Sequence, residues 1–398
     1  MKIKKIGREK WFWALVLGTV VLAAGCSGFH ETDEEAAAGP SYRYALVTCA
    51  DWAGQNSLAA IQLKPAAAPF LWMDWLVNLG SDPFLDPVVR TKSLTSVQPA
   101  LVLEREYFSA TGLGEVAVLN PANRFQVEAT YPVNDGVNPA NPNDLLVLSA
   151  DKAYVTRWDW LYNDILILNP DTGATSGTID FTGMGANADG LPRLYKMLYL
   201  QGRVWVLMQN INAFFTEYGP GSLGVVNPQS DVIEDIIALD LKNPADFGYD
   251  GELNRLYVAA TGDWFDPSGA GVEAVNPASR ISLGVLIQGS DLGGFLTHMA
   301  FQDAGHAYLS VTNSDFISGD QVIQVNPAAG TIGKTLYAYP GLYVSDLALD
   351  RQQDLLLIAD NTGSRVVVID LKSGLIVDTV ETLVPPVSIA IWEGEDKL

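Results

Sequence analysis

Four short segments of this chain pair a carboxylate with an aromatic ring: Asp51-Trp52, Asp159-Trp160, Asp263-Trp264 and Asp315-Phe316. An acid beside an indole suits sugar recognition, because the C–H face of a sugar packs on the ring while its hydroxyls bond to the carboxylate. The same pair suits a cationic ligand. The repetition also has a structural explanation, in which Asp caps a turn at a strand end and the aromatic fills a seam between neighbouring sheets. Asp360 holds a comparable place without an aromatic neighbour. Two more indoles, Trp72 and Trp75, lie in PFLWMDWLVNLGSDPFLDP (69–87), a long segment that is either a partner-binding insertion or an irregular outer strand.

The elements that must position these pairs repeat along the chain. An apolar strand ending in Asn-Pro or its equivalent occurs as EVAVLNP (115–121), DILILNP (164–170), SLGVVNP (222–228), GVEAVNP (271–277), QVIQVNP (321–327) and RVVVIDL (365–371). A degenerate copy, SLAAIQL, occupies 57–63, and the spacing from Gln62 to Asp370 runs between 44 and 58 residues. A period near 50 with about four short strands per unit predicts a β-propeller, and seven units predict seven four-stranded blades. Pro presets φ for the first corner of a turn, and the preceding Asn bonds forward to the turn backbone. Four residues after the Asn or Asp, Gly173, Gly330 and Gly374 supply positive φ, whereas Arg124, Asp231 and Arg280 must adopt it at a cost of about 1 kcal/mol.

Each unit opens with a strand such as KAYVTR (152–157), RLYVAA (255–260), HAYLSV (306–311) or LLLIAD (355–360), and closes with an apolar strand such as VSDLALD (344–350). The amino-terminal unit starts at YALVTC (44–49) without an inner strand, and VSIAIW (387–392) has no strand to follow it. These two remnants should complete one blade and close the ring, removing the edges of an open sheet. Strand directions then place the Asp-aromatic pairs on one face of the disc and the Asn-Pro turns on the other.

LYVAATGDW…GVEAVNPASR and LLLIADNTGSRVVVIDLKSGLIVDTV resemble the YVTN family of bacterial β-propeller repeats, which pairs a Tyr-Val strand with a following Val-x-Val-Ile-Asp strand. The resemblance covers about residues 41–392, closest in the last three units. It implies the fold and, since such proteins mostly bind or scaffold at the cell surface and in the periplasm, a binding or scaffold role for a protein or glycan partner.

The amino terminus reads as an address. A basic MKIKKIGREK precedes the apolar WFWALVLGTVVLAA and then AAGC (23–26). This resembles a bacterial lipobox, so residues 1–25 are expected to be a lipoprotein signal peptide and Cys26 the lipidated residue. Ser27, where an inner-membrane retention signal would place Asp, points to the outer membrane. Residues 26–40 read as an acidic flexible tether and 41–398 as the propeller. The formal net charge is −22; removing 1–25, with five basic residues and one acid, leaves −26. That charge argues against nucleic acid and against direct adsorption to anionic lipid. Cys49 is the only other cysteine, so no intramolecular disulfide is expected, and a buried, inert thiol on its strand is.

Signals for catalysis are sparse. The chain has three histidines, His30, His298 and His306, and no P-loop or Gly-x-Ser-x-Gly elbow. The fold class expected is all-β, a closed and monomeric seven-bladed propeller acting as a binding module. The alternative is a calcium-dependent hydrolase of the lactonase or esterase propeller type. Convergent carboxylates around Ca2+ at the axis would mark that enzyme, and an axis plugged by apolar side chains would mark a scaffold.

Overall fold

A computed structural model describes residues 42–63, 73–81, 83, 85–95, 98–106 and 113–394. The proposed signal segment, Cys26, the tether and Trp72 lie outside the described residues. The chain forms seven four-stranded antiparallel sheets arranged in a ring, a seven-bladed β-propeller. From the innermost strand outward, blade 1 holds Pro386–Gly394, Tyr42–Ala50, Asn56–Gln62 and Met73–Gly80. Blade 2 holds Leu85–Arg90, Ala100–Glu106, Glu115–Asn120 and Gln126–Pro132; blade 3 holds Pro142–Ser149, Lys152–Arg157, Asp164–Leu168 and Thr175–Asp180. Blade 4 holds Leu194–Leu200, Arg203–Met208, Pro220–Asn227 and Val232–Lys242; blade 5 holds Pro244–Asp250, Arg255–Ala260, Gly271–Asn276 and Ile281–Gln288. Blade 6 holds Gly294–Asp303, His306–Asn313, Asp320–Asn326 and Thr331–Ala338; blade 7 holds Val344–Asp350, Leu355–Asp360, Arg365–Asp370 and Leu375–Glu381.

The core is split into seams between successive blades. In the second strand of blade 1, Ala45, Val47 and Cys49 pack towards blade 7, while Tyr44 and Leu46 pack towards blade 2. Both faces of the strand are therefore buried, which is why its apolar residues run on without the alternation of a one-sided sheet. Each large apolar side chain so placed contributes about 1.5–3 kcal/mol. Burial pushes the Cys49 thiol up to about 12, so it stays protonated and unreactive at neutral pH.

The ring closes as the two incomplete ends of the repeat require. Tyr42–Ala50 pairs with Pro386–Gly394, with Tyr44 opposite Trp392 and Leu46 opposite Ala390. Trp392 donates from Nε1 to Gln98 O at 3.0 Å, and Arg43 forms ion pairs with Asp350 of blade 7 and with Glu393. The closing strand is thus tied to blades 1, 2 and 7.

The Asn-Pro corners follow their local chemistry. Asn169 Oδ1 accepts from Asp171 N and Thr172 N at 2.9 and 3.0 Å, and Asn276 Oδ1 accepts from Ala278 N and Ser279 N at 2.9 and 3.1 Å. The fourth residue is left-handed in every described copy, with φ of 71° at Gly173 and 53°, 56° and 56° at Arg124, Asp231 and Arg280. At Gly173 a Cβ would stand 2.2 Å from the Tyr131 ring, so close approach as well as φ requires glycine there.

Candidate functional site

The inner strands meet at the axis, and acidic and basic residue types alternate around it. Asp144 of blade 3 accepts from Arg90 Nε at 2.6 Å and Lys92 Nζ at 2.8 Å, and from Met197 N of blade 4 at 2.6 Å. Asp246 of blade 5 accepts from Lys196 Nζ of blade 4 at 2.8 Å and from Met299 N of blade 6 at 3.1 Å. Asp346 of blade 7 lies 3.4 Å from His298 Nδ1 of blade 6, and accepts from Ser388 Oγ and Ile389 N of blade 1, both at 3.0 Å. Acids therefore stand on blades 3, 5 and 7 and bases on 2, 4 and 6. A ring of seven cannot alternate throughout, and the break falls on blade 1 with neutral Ser388. Instead of an apolar plug or a set of free carboxylates, the axis holds two ion-paired acids and an aspartate beside His298, each acid also satisfied by a backbone N–H of the next blade.

Above this ring, on the face where the inner strands begin, lies a basin of about 260 Å³. Asn143, Tyr195, Ala245 and Thr297, each one residue nearer that face than a member of the ring, line it together with His298. Loops after the second strands supply its aromatic wall: Trp158 from blade 3, Phe215 and Tyr218 from blade 4, and Trp264 from blade 5. Trp158 stacks on Phe215 with centroids 5.6 Å apart, and the Arg193 guanidinium lies 4.4 Å from the Trp158 ring centre. Trp158 Nε1 donates to Gln209 Oε1 at 2.6 Å, which fixes the indole. Trp264 contacts Phe295 and Phe316 at 5.3 and 6.2 Å, extending the aromatic arc to blade 6.

The remaining wall carries hydrogen-bonding capacity. Asn243 is buried and its Oδ1 has no partner, and Tyr195 and Tyr218 line the same wall. Arg105 is held by Asp86 and donates to Asn143 Oδ1 at 2.7 Å. Among the described residues no carboxylate lines the basin. Burial pulls the His298 imidazole below its usual range, against the attraction of Asp346 and with help from nearby Lys196. The basin therefore presents neutral donors, acceptors and aromatic surface, with one cation already engaged. A second hollow of about 350 Å³, beside Gly54, Leu76 and Asn78 of blade 1, has neither aromatic nor charged lining among the described residues.

The four Asp-aromatic pairs all lie on the basin face, but the structure separates their two halves. Each acid caps its own turn. Asp51 Oδ1 accepts from Ala53 N and Gln55 N at 2.8 and 2.9 Å, Asp159 Oδ1 from Leu161 N at 3.0 Å, Asp263 Oδ1 from Phe265 N and Asp266 N at 3.1 and 2.8 Å, and Asp315 Oδ1 from Ile317 N and Ser318 N, both at 2.9 Å. Hydrogen bonds from Gln55 hold the Asp51 carboxyl, and bonds from Ser318 the Asp315 carboxyl, below the ordinary value; burial raises that of Asp159. Of the aromatics, Trp264 lines the basin and Phe316 stacks on Phe295 at its margin, 5.4 Å away. Trp52 and Trp160 are about half exposed and lie outside it, so neither ring fills a seam. Trp75 lies away from the basin, half-buried in the seam of blades 1 and 2, 5.3 Å from Tyr44 and 6.4 Å from Phe125.

Trp158, Phe215, Tyr218 and Asn243 were not among the residues singled out in the sequence, and His298 stood there only as one of three histidines. The aromatic two residues before Trp160 differs from it only in where the strand ends, which a pair pattern does not show. The axial ring did leave a trace, a single Asp, Lys or His in each of the inner-strand segments NDLLV, YKMLY, ADFGY, THMAF and SDLAL. Among the described residues no three His, Cys, Asp or Glu side chains are placed to hold a metal ion.

No protein-family model and no curated protein matches the chain. Solved structures do. Apo AztD of Citrobacter koseri is 13% identical, with 90% of this chain and 100% of that one covered and a TM-score of 0.51. Hydrazine synthase of Kuenenia stuttgartiensis is 11% identical, with 86% and 99% covered and a TM-score of 0.52. The dihydro-heme d1 dehydrogenase NirN in complex with DHE is 12% identical, with 87% and 74% covered and a TM-score of 0.51. At these identities the likeness is one of fold: the chain is built as a propeller.

Proposed function

We propose that this chain is a cell-envelope lipoprotein, anchored in the outer membrane through Cys26, whose propeller is a binding module that takes one sugar ring of a glycan in the axial basin. The observation that carries the ligand reading is the basin itself. Trp158, Phe215, Tyr218 and Trp264 face a wall of amides and hydroxyls in which Asn243 Oδ1 is buried without a partner. Apolar C–H faces and outward hydroxyls of a pyranose match that division of labour. A calcium-dependent hydrolase is disfavoured by the donor chemistry, because Asp144, Asp246 and Asp346 each already face a basic side chain.

Titration of the lipid-free protein with a panel of monosaccharides and oligosaccharides, followed by tryptophan fluorescence, tests the ligand. Binding should weaken roughly tenfold in Trp264→Ala and stay unchanged in Trp52→Ala. Absence of binding across the panel, or equal binding by both variants, rules the reading out. For the anchor, Cys26→Ser should abolish partition into detergent, since only the thiol takes the lipid; a variant that still partitions after signal cleavage would show another mode of attachment.

A further inference from the structure

The turn that repeats on the basin face does more than cap a strand. In blades 3, 5 and 6 the aspartate at position i accepts from the N–H at i+2, which pushes the i+2 side chain outward. Asn212 caps a wider turn in blade 4, with Oδ1 accepting from Thr216 N at 2.9 Å and Glu217 N at 3.3 Å. The i+2 residues Leu161, Phe265 and Ile317, and Phe214 inside the wider turn of blade 4, are 46%, 80%, 81% and 81% exposed. Three aromatics behind these tips, Phe215, Trp264 and Phe316, are held at φ of 58°, 60° and 54°, which bulky residues adopt only at a cost. Blade 1 has Ala53 at i+2 and blade 7 has Thr362, so the apolar tips form a one-sided arc over blades 3 to 6. The corresponding loop of blade 2 lies outside the described residues.

Charge identifies the occupant. The four loops, 158–163, 209–219, 261–270 and 313–319, contain Asp159, Glu217, Asp263, Asp266 and Asp315 and no Lys or Arg. Lys242, at the foot of this arc, is held by Asp263 at 3.1 Å. The basic residues Arg124, Lys152, Arg203, Arg255 and Arg280 lie instead at the Asn-Pro face. We propose that this arc of apolar tips in an acidic field docks a second protein through a basic amphipathic segment, whose apolar side meets Phe214, Phe265 and Ile317 while its Lys and Arg meet the loop carboxylates. Anionic lipid is repelled by the same carboxylates, and a second copy placed face to face brings them against one another.

The probe is a synthetic amphipathic peptide of Lys and Leu, with a Glu and Leu peptide of the same pattern as its control. The mature protein should bind the first and not the second, and the affinity should fall with added salt. The triple variant Phe214→Ser, Phe265→Ser, Ile317→Ser keeps the net charge and should bind the Lys peptide at least roughly tenfold more weakly at an unchanged melting temperature. Unchanged binding by the triple variant would mean general charge attraction and overturns the proposal. Binding to phosphatidylglycerol vesicles that the triple variant loses, or a dimer in sedimentation that it loses, overturns it in favour of a membrane or a second copy. None of these three tips lines the basin, so the triple variant keeps any sugar binding, and the two readings fail separately.

Discussion

Lys196 Nζ lies 2.8 Å from Asp246 Oδ2, and the same oxygen accepts from Met299 N at 3.1 Å. One carboxylate therefore joins blades 4, 5 and 6 at the axis. The closed ring leaves little room for these groups to find other partners, so the network acts as a cross-tie between blades.

Asp246→Ala is expected to destabilise the protein by about 3–5 kcal/mol, because it strands the Lys196 ammonium in a water-poor site and leaves Met299 N unpaired. Adding Lys196→Met should recover part of that loss. Urea unfolding of the two variants checks this; a double variant less stable than Asp246→Ala would contradict the cross-tie.

His298 gives stability a pH dependence of defined sign. Its folded value is depressed by burial and by Lys196, against the pull of Asp346. The unfolded chain, with an ordinary value of about 6.5, then takes up the proton first. The contribution of neutral His298 is present above about pH 6.5 and is lost as pH falls through that value toward the folded one. Between about pH 7.5 and about pH 5.5 the melting temperature of the native sequence should fall further than that of His298→Gln. Parallel curves would show that His298 is not coupled to folding.

Trp158 and Trp160 are two residues apart and should behave oppositely. Trp158 is 6% exposed, stacked on Phe215 and bonded to Gln209, whereas Trp160 is 45% exposed. Trp158→Ala should cost about 3–5 kcal/mol, and Trp160→Ala less than about 1 kcal/mol. Similar losses in chemical denaturation would place the two indoles in like environments.

Ring closure concentrates on Trp392, whose ring sits 5.1 Å from Phe125 and 6.3 Å from Tyr44. Trp392→Ala should cost about 3–5 kcal/mol, and removal of Pro386–Gly394 should prevent cooperative folding, since blade 1 would lose its inner strand. A truncated chain with the native melting temperature would show that the ring does not depend on this strand.

The number of blades, the face carrying each turn and the closure between Tyr42–Ala50 and Pro386–Gly394 could all be read from the chain, because each rests on local or periodic rules. Asn276 bonds to Ala278 and Ser279, and Asp263 to Phe265 and Asp266, whatever surrounds them. The acidic half of each Asp-aromatic pair was legible for the same reason, as a cap. Which aromatic reaches the basin was decided only by the tertiary structure: Trp158 enters and Trp160 does not, because that depends on where one strand ends relative to its neighbour. The axial ring is a still longer-range result. Asp144, Lys196, Asp246, His298 and Asp346 stand about fifty residues apart in sequence, and only the tertiary fold brings Lys196 against Asp246 and His298 against Asp346.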